Sequence, residues 1–194
     1  MIAEAVRRSP LAEYVDKFAA LSADSRGDLS IREVPFVSQL NLRADPKDAV
    51  LIQSFAAVLG FELPAVPNTV ASREGRRALW LSPDEWLVVG PEGQQGVIEQ
   101  ELRNGLNGAF SSIVDVSANR TVLELRGAMA RDLLTHGVAI DLDERSLGSG
   151  RCAQTMLAKA QVILERRDDS AFVLYVRASF AHYVADWLLD ALAE

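Results

Sequence analysis

The chain has one cysteine, Cys152, and two histidines, His136 and His182, in 194 residues. One cysteine closes no internal disulfide, which fits a reducing compartment such as the cytoplasm. Metal centres need several His, Cys, Asp or Glu side chains at converging spacings. None of these three residues sits in a pair at ligand spacing, so no metal site is expected. No run approaches the ~20 apolar residues of a membrane span. The opening MIAEAVRRSP has two arginines but no apolar core behind them, because Glu13, Asp16 and Lys17 interrupt LAEYVDKF. No signal peptide is read there. Basic charge is also in deficit: the net charge is -7 and the pI about 4.9. An acidic surface repels phosphate backbones, so nucleic acid is not an expected partner. The one basic cluster, Arg73-Glu74-Gly75-Arg76-Arg77, reads as a solvated loop.

Catalytic signatures are missing too. There is no Walker motif, no GxSxG and no HExxH. Gly148-Ser149-Gly150 lacks a third glycine, follows a charged loop and precedes a strand, so it is no dinucleotide fingerprint. His136 stands before Gly137 at a helix end, where an imidazolium complements the dipole. His182 lies on the last helix, and partial burial explains it better than catalysis. Cys152 opens a strand with no base in view, which favours a buried, inert thiol. Asp115, in the run VDVS, is the one carboxylate in a β-run that could orient a polar ligand. A bond to turn amides or to Arg120 is the simpler role for it.

What is present is an ordinary globular composition, 49% hydrophobic and 24% charged. A chain of this length buries roughly 70% of its unfolded surface. Leu11, Tyr14, Val15, Phe18 and Leu21 recur at helical spacing and predict a helix over 10–22. LSIREV and FVSQLNLR read as strands around Pro35. Asp45 and Pro46 open a helix that Gly60 ends. The stretch from LPAVPNT up to Arg77 reads as loop. ALWLS and EWLVVG are strands around Ser82-Pro83-Asp84. A helix carries Val97, Ile98, Leu102 and Leu106. SSIVDVS and RTVLELRG are strands around Ala118-Asn119, followed by the short helix AMARDLLTHG. CAQTMLAKAQVILER and AFVLYVR alternate at period 2. Phe180, Tyr183, Val184, Trp187, Leu188, Ala191 and Leu192 form an amphipathic last helix. Recurring strand pairs predict an α+β fold with antiparallel or mixed sheets and helices on one face of each. The expected organisation is one unit over 1–194, in two intimate halves of about 25–110 and 111–194. No linker or low-complexity segment divides it.

Three stretches carry a resemblance. Arg120 to Leu142, with Gly127, Leu133, Leu134, Asp141 and Leu142 in place, resembles the aminomethyltransferase-like, folate-binding family of the glycine cleavage T protein. Cys152 to Ala191 is similar to the C-terminal half of the sarcosine oxidase gamma subunit. Its Cys-Ala-Gln-Thr opening, Arg-x-Ser-Phe-Ala helix start and Trp-Leu-Leu-Asp-Ala end carry that likeness. The tryptophan-rich pair Ala78 to Gly90 and Ser9-Pro10-Leu11-Ala12 resemble the same subunit. An iron-sulfur-assembly branch of the fold has a Lys-Gly-Cys-Tyr signature. Gly150-Arg151-Cys152-Ala153 departs from it.

The resemblance implies a T-protein-like fold and a structural, non-catalytic role in a heterotetramer that oxidises sarcosine to glycine. Hydrogen peroxide forms, and a one-carbon unit passes to tetrahydrofolate. The FAD, FMN, NAD, zinc and tetrahydrofolate sites then belong to the alpha, beta and delta partners. This chain is expected to hold no catalytic, cofactor-binding or metal residue. The N-terminal helix, Leu11 to Leu21, is the candidate for part of the partner interface, with packing on its own domain as the simpler reading. The alternatives are a stand-alone folate-binding one-carbon protein, with Asp115 as its only suspect for the pterin, or the equivalent subunit for another N-methyl amine.

Overall fold

The computed structural model describes residues 7–106 and 108–192. A 3-10 turn, Ala12–Tyr14, leads into α1 (Val15–Asp24). Then come β1 (Ser30–Val34), β2 (Ser38–Ala44), α2 (Ala49–Leu59), β3 (Val70–Arg73), β4 (Arg76–Ser82), β5 (Glu85–Gly90) and α3 (Gln95–Asn104). The second part holds β6 (Ser111–Asp115), β7 (Arg120–Arg126), α4 (Ala130–Thr135), β8 (Arg151–Leu157), β9 (Ala160–Asp168), β10 (Ala171–Arg177) and α5 (Ala181–Asp190). The fold is α+β, and the strand pairs within its two five-stranded sheets are antiparallel.

The sheets stack face to face, with helices on the two outer faces. Period-2 alternation sorts each strand between the layers. Phe172, Leu174 and Val176 of β10 face α1, α4 and α5, while Val173 and Tyr175 face the other sheet. Trp86 and Val88 of β5 face α2 and α3, while Leu87 and Val89 meet the opposing sheet. Trp86 is almost fully buried and donates its indole N–H to the Pro64 carbonyl at 2.8 Å.

The strand order departs from the expected halves. One sheet runs β1-β7-β10-β9-β8 and the other β3-β4-β5-β2-β6. The strands expected to pair around Pro35, β1 and β2, lie in different sheets, and so do β6 and β7 around Ala118-Asn119. A boundary near residue 110 therefore matches neither sheet: 30–34 joins the later strands and 111–115 the earlier ones. Side-chain periodicity reports which face is apolar. It does not report which strand lies alongside.

Two local expectations also change. α2 is capped by Asp48, whose carboxylate accepts from the Leu51 amide at 3.0 Å; Asp45 instead closes its own turn onto the Lys47 amide. Gly60 ends the helix in the left-handed region, at φ 82°. The basic cluster is a hairpin, not a solvated loop. β3 and β4 pair across Glu74-Gly75, both with positive φ, and Arg77 turns inward. β3 is a short, half-exposed edge strand, so its alternation is too weak to read.

Candidate functional site

The layer between the sheets holds a row of buried charge. Arg32, Glu124, Val173, Glu165 and Cys152 are successive cross-strand partners over β1, β7, β10, β9 and β8. They form one row across the sheet. The Glu124 and Glu165 carboxylates are only 1% and 2% exposed. Burying an ion is costly unless it is paired, and each is. Arg126 reaches Glu124 at 2.7 Å, and Arg32 contacts its other oxygen. Arg167 lies between them, 3.4 Å from Glu124 and 3.7 Å from Glu165. Arg77 comes from the opposite sheet and pairs with Glu165, joining the sheets. Tyr175 donates its hydroxyl to the other Glu165 oxygen at 2.8 Å.

Protonation follows from this environment. Burial works to raise the Glu124 carboxyl, but Arg126 and Arg32 outweigh it and hold it below the ordinary range. Burial and the Glu165 charge push the Tyr175 phenol well up, so it serves as a donor. Burial pushes the Cys152 thiol up to about 12. Its Sγ sits 3.6 Å and 3.5 Å from the Thr69 and Trp80 carbonyls. A protonated, enclosed thiol is a poor nucleophile. The Arg77–Glu165 pair staples the sheets, and the shifts of Glu124, Tyr175 and Cys152 all carry them away from neutral pH.

A carboxylate held low stabilises the fold above its unfolded value of about 4.3 and loses that contribution as pH falls toward its folded value. Glu124→Gln should therefore be less stable than the parent at pH 7, with the difference shrinking between pH 5 and 3. Denaturant titrations across that range check this. A gap that stays constant with pH would refute it.

The sequence-selected residues lie apart. Asp115 is exposed at the end of β6, where Oδ1 accepts from the Ser117 amide at 2.9 Å and its hydroxyl at 2.5 Å. That is the turn-bonding role, made with Ser117 and not with Arg120. His136 is exposed at the end of α4. His182 Nε2 lies 2.7 Å from the Pro10 carbonyl oxygen, and its ring stands beside Tyr14. Among the described residues, no three His, Cys, Asp or Glu side chains cluster as metal ligands. No helix there is long and apolar enough to cross a membrane.

The charged row escaped the sequence reading. Glu124 and Glu165 occupy the polar positions of alternating strands, which look solvated until a second sheet covers them. The signal was positional: both sit in the middle of apolar strands beside an arginine two residues on. The N-terminal helix takes the simpler of its two readings. Its apolar face, with Leu11, Tyr14 and Phe18, packs into its own core. Tyr14 also donates to Asp186 of α5 at 2.7 Å. That face is unavailable to a partner.

Comparison with known proteins agrees with this architecture. The glycine cleavage aminomethyltransferase T from Bartonella henselae matches with TM-score 0.62 at 16% identity, over 84% of this chain and 45% of that one, a likeness of fold. A chain of the heterotetrameric sarcosine oxidase from Corynebacterium sp. U-96 matches with TM-score 0.86 at 36% identity, over 96% of this chain and 95% of that one. Sarcosine oxidase subunit gamma from an Arthrobacter species is 36% identical over 97% of this chain and 91% of its own length. The counterpart from Corynebacterium sp. strain P-1 is 35% identical over the same shares. The family model for the sarcosine oxidase gamma subunit matches residues 43–194, and the chain belongs to that family.

Proposed function

We propose that this chain is the non-catalytic gamma subunit of a heterotetrameric sarcosine oxidase. The observation that carries the reading is the near-complete mutual coverage, at 36% identity, with a chain of such an oxidase. In this reading the complex oxidises sarcosine to glycine in the cytoplasm. Alpha, beta and delta subunits supply the FAD, FMN, NAD, zinc and tetrahydrofolate sites. The state of the interior supports a scaffold role. Its buried carboxylates are paired with arginines, its thiol is protonated, and Asp115 is engaged in its own turn.

Co-expression with the other subunits tests this. The chain should co-purify in a flavin-bearing complex with sarcosine-dependent peroxide formation. The isolated chain should show no flavin absorbance, no turnover and no heat of binding with tetrahydrofolate. Turnover by the isolated chain, or micromolar folate binding, would overturn the scaffold reading.

A further inference from the structure

The outer edge of β1 pairs with no other strand among the described residues. Beside it lies an open groove of about 660 Å³, with Ala12, Val15 and Ala19 of the N-terminal helical segment on one wall and Ile31 on the other. Val15 is 59% exposed there. An unpaired strand edge beside an apolar wall is a template for an added strand.

The groove continues into a second notch of about 210 Å³, and the two share Arg7, Arg8 and Phe36. Arg120 lines the notch, and its cross-strand partner in register is Arg177. Like charges placed directly opposite are unfavourable. Yet among the described residues neither guanidinium forms an ion pair, although the chain as a whole is acidic. Burial and the neighbouring Arg177 both press the Arg120 guanidinium toward the neutral form, and the more weakly felt charge of Glu85 does not offset them. Phe36, at the junction, holds a left-handed backbone at φ 58°. That conformation is a genuine outlier for a bulky side chain, and such outliers gather at ligand clamps. The Arg7 guanidinium sits 4.3 Å over its ring.

We propose that this groove receives an extended segment of another subunit, apolar along β1 and ending in a carboxylate at Arg120 and Arg177. The proposal rests on the subunit reading above. A small free anion would satisfy the arginines but leave the apolar wall uncovered. A different, acidic chain meets both needs.

The test uses the complex co-expressed with the other subunits. Val15→Asp and Arg177→Glu alter exposed side chains, so each isolated variant should melt within about 3 °C of the parent, by the small effect of surface changes. Each should weaken association at least tenfold, and Arg177→Glu should also flatten its dependence on salt. Association as tight as the parent in both variants overturns the groove proposal while leaving the subunit reading intact. A parent chain that joins no complex overturns the subunit reading. An isolated chain that dimerises by sedimentation, and loses the dimer on Val15→Asp, would assign the groove to a second copy and overturn the proposal.

Discussion

Glu165→Ala is expected to lower stability by about 3 kcal/mol, the low end for breaking a buried ion pair. The carboxylate is 2% exposed and accepts from Tyr175, while Arg77 crosses from the other sheet to meet it. Its removal leaves the Tyr175 hydroxyl unpaired and Arg77 without its counter-charge, and Arg167 keeps only Glu124. Arg77 and Arg167 keep 20% and 27% exposure, which lets water recover part of the loss. The loss should come from the junction of the sheets, so pairing Glu165→Leu with Arg77→Met should restore most of it. Denaturant unfolding of both variants measures this. A double variant no more stable than Glu165→Ala would mean that the charges do more than hold the layer closed.

Gly127→Ala carries a larger expected effect, about 4 kcal/mol or more, which for this length is a drop of roughly 10 °C in Tm. Two causes add. Gly127 has φ 121°, a region costing about 1–3 kcal/mol for a residue with a Cβ. A Cβ there would lie 2.1 Å from the Asp28 carbonyl oxygen and 2.6 Å from its carbon. The obstacle is backbone, where β1 enters its sheet, and it cannot rotate away. Overpacking of this kind costs a further ~1–3 kcal/mol. Gly93→Ala isolates the first cause, since φ is 75° and nothing lies within 4 Å of the new atom. It should cost only about 1–2 kcal/mol. Thermal melts that rank the two variants equally would remove the steric part of the explanation.

These two sites mark what the sequence displayed and what it hid. Gly127 was visible as part of a strand-glycine-helix pattern. The alternation Phe172-Leu174-Val176 and the spacing of Val184 and Leu188 were equally legible, because each records a face turned to one core. The class of fold, its antiparallel sheets and its helical coats followed from such local signals. The partner of each strand did not. Ile31 has the same apolar character whether its strand pairs with β2 or, as found, with β7. Arg77 looked solvated because it follows a polar hairpin and precedes Ala78, with nothing local to show Glu165 waiting 88 residues further on. For the candidate site, the burial of Cys152 matches what its setting suggested. The charged row required knowing that two sheets face one another, which is non-local information.

The exchange of β1 and β6 also sets an order in time. A nascent chain completes residues 30–34 early, yet among the described residues their one neighbouring strand is 120–126, which itself pairs with 171–177 on its other side. Contacts this distant in sequence close late and slowly. Until the last sheet strand leaves the ribosome, α1 has no sheet to cover, and Leu11 and Phe18 have no core to enter. The groove beside β1 is lined by residues 7–36, but the notch that continues it needs Arg120 and Ala178, so the two stand together only at that final step. A partner that reads both therefore meets finished chains and passes over incomplete ones.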